Sequence, residues 1–145
     1  MPVRANAPDQ LNTYKAYLRE LMAYFHGHGP YPIGHEFTDA ELLALRPDDI
    51  YKWMAYKVYH NEEPGPDDRP LFGRASSLAY YKKAISFFMP NRNMAWNAAT
   101  NQGNPCRSTQ VNDLIRAVKK KQVRGLGKES QADRPFEKEE FEQQI

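Results

Sequence analysis

A chain of 145 residues that is 41% hydrophobic, with seven Phe, nine Tyr and two Trp, can fill one packed core with tails, which excludes wholesale disorder. No apolar run approaches the ~18 residues of a membrane span, residues 1–10 lack the apolar stretch of a secretory signal, and the lone Cys106 excludes an internal disulfide and a thiolate zinc site. The formal charge of +2 hides a split: Arg74 to Lys128 carries eleven Lys/Arg against one acid, Asp113, a net of +10, while the segments on either side carry −4 each.

Residues 1–8 read as a flexible arm. Asp9 is placed to cap a helix running to about His26, because Leu11, Tyr14, Leu18, Leu21, Met22 and Phe25 repeat with helical spacing. Gly27, Gly29 and Pro30 end it. Thr38-x-x-Glu41 is a capping box ahead of Leu42, Leu43 and Leu45. Pro47-Asp48-Asp49 stops that short helix and suits the first turn of the next, with Ile50, Trp53, Met54 and Val58 marking it to about His60. Asn61 to Pro70, acidic and proline-rich, reads as a loop.

A longer helix is predicted over Ser76–Met89, with Leu78, Tyr81, Ile85 and Phe88 on one side. Asn91 to Pro105 reads as a polar loop anchored by Trp96. A further helix starts at Ser108 or Thr109 and runs to about Val123, with Val111, Leu114, Ile115 and Val118 as its stripe. Gly125 and Gly127 release the chain into a linker, 125–134, and 135–145 begins another helix. No strand alternation and no internal repeat is present. The expected fold is all-α, a small bundle of four to five short helices over 9–124.

Three segments carry a resemblance. GRASSLAYYKKAISFFMPN (73–91), NPCRSTQVNDLIRAVKKKQVRG (104–125) and RPFEKEEFEQQI (134–145), in that order, resemble the N-terminal core-binding, or SAM-like, domain of tyrosine recombinases and phage integrases, and are similar in wording to the crypton type from mobile elements. In that family the first segment packs apolar residues inward and basic ones onto DNA, the second closes the module, and the third opens the catalytic domain. The resemblance implies a duplex-DNA-binding half of a recombination or integration protein, with self-association on DNA, inside the cell and in the nucleus if the host is eukaryotic. It does not imply strand cleavage. The family's chemistry needs a tyrosine nucleophile with arginines and a histidine or lysine in the catalytic domain, and here the last tyrosine, Tyr81, and the last histidine, His60, precede the linker. No enzyme activity, cofactor or metal is expected of this chain.

The DNA-binding candidates fall into four groups. Lys119, Lys120, Lys121 and Arg124 end one helix; complementing the helix dipole accounts for one or two of them, but with Arg116 and Lys128 they make a longer strip suited to phosphates. Arg74, Ser76, Lys82 and Lys83 frame the preceding helix, where arginine offers a two-pronged contact and the others position the backbone, against the plainer role of a solvated face. Asn91 and Arg92, with Asn93, follow that helix and can reach a groove or simply form a turn. Arg107 and Ser108, with Thr109, open the last helix, where free backbone amides favour a phosphate and where a plain N-cap serves equally. Tyr80 and Phe87 lie off the main stripe and suit packing on another helix better than base stacking. Cys106 has either a lowered pKa or no special role. His26, His28 and His35 lack a helical i, i+4 pair for metal, and Glu62-Glu63 and Asp67-Asp68 sit in a solvated loop. No nucleotide-binding glycine motif and no Gly-x-Ser-x-Gly elbow occurs. The competing function is a helical protein-interaction module with a solvated basic face, and binding that falls steeply with salt separates the two.

Overall fold

The computed structural model describes residues 2–125, with side chains from residue 9 onward. Five α-helices lie among them: α1 (Pro2–His26), α2 (Asp39–Leu43), α3 (Pro47–Tyr59), α4 (Ala75–Phe88) and α5 (Thr109–Val123), with a 3₁₀ turn, Pro105–Arg107, ahead of the last. The described residues contain no strand, only bridges at Ala95–Asn104 and Asn97–Gln102, so the all-α bundle expected from the sequence is the fold. No helix among them is long and apolar enough to cross a membrane. Lys128, most of the 125–134 linker and the helix expected over 135–145 lie outside the described residues.

The stops and starts follow local chemistry. Thr38 N–H donates to Glu41 Oε1 at 2.8 Å and Glu41 N–H donates to Thr38 Oγ1 at 3.2 Å, closing the capping box on α2. The Thr38 amide holds the Glu41 carboxyl below its ordinary range. Pro47 opens α3, and Asp49 accepts from the Arg46 amide at 2.9 Å. His60 closes α3 in the left-handed region, φ 59°, with its N–H bonded to Tyr56 C=O at 2.8 Å. One boundary differs from expectation. The arm predicted over 1–8 is helical in its backbone from Pro2, and Asp9 is an interior residue whose carbonyl accepts from the Thr13 hydroxyl at 3.0 Å. Asp favours a cap over a helix interior, so local propensity set the start at Asp9, and the helix that continues through it overrides that preference.

The core is the meeting of the predicted stripes. Leu21 and Met22 of α1, Ile50, Trp53, Met54 and Val58 of α3, Leu78 and Ile85 of α4, and Val111 and Val118 of α5 are all buried. Each such side chain contributes roughly 1.5–3 kcal/mol of transfer free energy. Trp53 satisfies its indole N–H with Glu20 at 3.0 Å, and Lys57 closes on the same Glu20 oxygen at 2.7 Å. Burial lowers the Lys57 pKa, but the Glu20 hydrogen bond and charge outweigh it, and the net shift is upward.

α4 and α5 form an antiparallel hairpin. Ala75 N–H donates to Gln122 Oε1 at 2.9 Å, Lys82 Nζ to Asn112 Oδ1 at 2.6 Å, and Asn104 Nδ2 to Ser86 Oγ at 3.1 Å, so ascending positions on one arm meet descending positions on the other. The connecting loop is anchored by Asn104, fully buried, and Cys106 beside it, whereas Trp96 is only half-buried. This corrects the assignment of Trp96 as the anchor. A large ring contributes area, but Asn104 also bonds Arg92 C=O at 3.1 Å and accepts from Cys106 N–H at 2.9 Å, which fixes both ends of the loop.

Candidate nucleic-acid interface

The hairpin decides which basic residues can meet a ligand together. On α5, Val111, Leu114 and Val118 are buried, which turns Arg116, Lys119, Lys120 and Arg124 to the surface. On α4, Ser76 and Lys83 are exposed, and Arg74 stands exposed at the N-cap. Lys82 lies in the seam between the helices, half-buried, its ammonium held by Asn112. Arg116 pairs with Asp113 one turn away at 2.5 Å, so the lone acid of the basic block partly offsets one cation of the strip.

At the far end of the hairpin two arginines are braced by backbone. Arg92 Nη1 donates to Phe87 C=O at 3.2 Å with its guanidinium 5.2 Å over the Phe87 ring. Arg107 Nη1 donates to Asn93 C=O at 2.6 Å. Both side chains are exposed, and these bonds leave other guanidinium donors of each to meet a ligand.

Three of the predicted site residues face inward instead. Lys121 Nζ donates to Asp68 C=O at 2.6 Å and to the Tyr59 hydroxyl at 3.0 Å, and lies 4.7 Å over the Tyr59 ring. It ties α5 to the end of α3 and to the 61–70 loop. Ser108 is 5% exposed, and its Oγ accepts from Val111 N–H at 3.3 Å, so the hydroxyl is the N-cap of α5. Asn91 donates to Gly103 C=O at 2.8 Å, and its Oδ1 is buried without a partner among the described residues.

The remaining candidates resolve from their surroundings. Tyr80 and Phe87 pack on α1, each 5.7 Å from the ring of Tyr14, as their off-stripe positions suggested. Burial pushes the Cys106 thiol up to about 12, which removes the lowered pKa as a reading. His28 stacks on Tyr31 at 4.1 Å and His35 lies 4.7 Å from the same ring. No group of metal-ligating side chains forms among the described residues.

One feature was not legible in the sequence. An open cleft of about 850 Å³ lies between α1, α3 and the start of α4, lined by Tyr24, Trp53, Tyr56, Phe72 and Tyr81 with Lys57. Its outer wall is a run of rings: His60 lies 5.3 Å from Tyr56 and stacks on Phe72 at 3.5 Å, the two planes nearly parallel. The aromatics come from separated segments, and only their spacing within α3 gave a local signal.

Comparisons of the chain with protein-family models, with curated proteins and with solved structures find no match.

Proposed function

We propose that the chain binds duplex DNA through the outer face of the α4/α5 hairpin, as the non-catalytic core-binding half of a recombinase-like protein that acts inside the cell. The observation that carries this reading is the segregation on α5. Arg116, Lys119, Lys120 and Arg124 share the exposed side while Val111, Leu114 and Val118 are buried on the other, in a block of sequence whose single acid is Asp113. Helix-dipole complementation needs cations only in the last turn, and Arg116, Lys83 and Arg74 lie outside it. A rod of two antiparallel helices with one cationic side suits a phosphate backbone, where each neutralised phosphate releases counterions.

Titration of a labelled duplex at low and at physiological salt tests the reading. Affinity should fall by roughly 10²-fold or more over that range for several phosphate contacts. Absence of binding at low salt would end it. The protein-interaction alternative draws on the aromatic cleft, where Tyr56 and Phe72 are 45% and 49% exposed. A partner seated there would bind with little dependence on salt.

A further inference from the structure

Phosphate contacts hold a protein on DNA without reading it; sequence is read by groups that reach base edges. The cations of α4 and α5 are of the first kind. The loop at the tip of the hairpin has the makings of the second.

Residues 91–107 contain five Asn, one Gln, two Arg and no acid. The six carboxamide side chains divide into two sets. Asn91, Asn97 and Asn104 spend their side chains inside the loop: Asn91 on Gly103 C=O, Asn97 accepting from the amides of Ala99 at 2.9 Å and Thr100 at 3.2 Å, and Asn104 as the buried anchor. Backbone bonds then cross the loop, Asn97 N–H to Gln102 C=O at 2.7 Å and Asn104 N–H to Met94 C=O at 2.8 Å. The two sides of the loop approach so closely at Gly103, φ +111°, that a Cβ there would lie 2.3 Å from the Ala95 carbonyl oxygen. The frame is therefore fixed before any ligand arrives. The second set, Asn93, Asn101 and Gln102, is exposed, and these side-chain amides make no hydrogen bond to the described residues. Asn101 sits at the tip in the left-handed region, φ 57°. Arg92 and Arg107 flank the base of the loop.

We infer that this loop enters a DNA groove and reads bases, with the amides of Asn101 and Gln102 as the specificity-determining groups and Arg92 and Arg107 clamping the flanking phosphates. An exposed carboxamide matches the paired donor and acceptor that adenine presents in the major groove. The bracing supplies the preorganisation that lets so short a contact discriminate. The α4 arm, 14 residues long, spans ~21 Å, so the cations along it hold the duplex while the tip meets the bases. The inference rests on the DNA-binding reading above.

The test is selection by the full chain from a duplex library randomised over about ten base pairs, one helical turn. Alongside it runs the double variant Asn101→Gly, Gln102→Ala. Glycine accepts the φ of Asn101, and both positions are exposed, so the fold is retained. The wild type should enrich sites with adenine at fixed positions. The variant should keep the wild-type affinity and salt slope on unselected duplex while losing roughly 5- to 150-fold of preference for the enriched site. Lys119→Ala with Lys120→Ala should lower affinity on all sequences and leave the enriched site unchanged. The inference is overturned if the loop variant enriches the same site as the wild type, or if the wild type binds duplex and enriches nothing. A wild type that binds no duplex at low salt brings down the DNA reading itself, and the loop assignment with it.

Discussion

The ammonium of Lys121 rests on the ring of Tyr59, 4.7 Å from its centroid, while its neighbours Lys119 and Lys120 stand exposed on the outer side of the same helix. Successive residues on a helix are turned by about 100°, so three adjacent lysines cannot share one face. The run that looks uniform in sequence holds two solvent-facing cations and one structural strut.

The double variant Lys119→Ala, Lys120→Ala should therefore weaken duplex binding and lower the salt slope by about 2, one for each lost phosphate contact. Its thermal stability should match the wild type. Lys121→Ala should do the reverse: it removes charge-assisted bonds to Asp68 C=O and the Tyr59 hydroxyl and should cost about 1–3 kcal/mol, with little change in DNA affinity. Denaturant unfolding and DNA titration of both variants separate the two roles. A DNA defect from Lys121→Ala equal to that of the double variant would place all three lysines at the interface.

Asn104 organises the connection between the basic helices. Its replacement by Ala leaves the Arg92 carbonyl, the Ser86 hydroxyl and the Cys106 amide without their shared partner. The cost should be about 2–4 kcal/mol, larger than that of Trp96→Ala at its half-buried site. Chemical denaturation of the two variants gives the order directly, and a reversed order would restore Trp96 as the anchor.

Cys106 is completely buried and its thiol is pushed up to about 12 by loss of hydration. It should resist alkylation at neutral pH in the folded chain and react at the rate of a free thiol once unfolded. The sign of the linked stability effect follows. The folded state holds the proton more tightly than the unfolded chain, whose thiol ionises near 9.0, so this contribution is complete below that pH and is lost as pH rises towards about 12. Mass spectrometry after timed alkylation checks the first part. Rapid labelling under native conditions would contradict the buried placement.

Local signals made much of this fold legible. The Thr38/Glu41 box, the Pro47 start and the stripes of α4 and α5 act within one or two turns, so residue spacing alone predicts them. The candidate interface was legible only in part. Lys83, Lys119, Lys120 and Arg124 follow from being opposite a stripe. The inward turn of Lys121 depends on where the 61–70 loop lands, and that of Asn91 on where Gly103 crosses it. Both are contacts across the chain that no local pattern encodes. The helical start at Pro2 was missed for a different reason: Asp is favoured at a cap over a helix interior, so local propensity placed the start at Asp9 and the longer helix overrides it.

The tyrosines of α4 set the final expectation. Tyr81 is half-buried, its ring 4.7 Å from Tyr17 and 5.3 Å from Trp53, with the Lys57 ammonium 5.1 Å over its face. Lys57 is itself bonded to Glu20 at 2.7 Å. Tyr80 packs against Tyr14 and Tyr17. A nucleophilic phenol needs an open path to the phosphorus and cations placed for the pentavalent oxygens. The Lys57 ammonium over the Tyr81 ring is already engaged by a carboxylate. Incubation of the chain with supercoiled plasmid, followed by denaturing electrophoresis, should therefore give no covalent protein–DNA adduct. An adduct that disappears in Tyr81→Phe would show that this ring leaves its packed position to attack, and would turn a proposed binding half into a strand-cleaving protein.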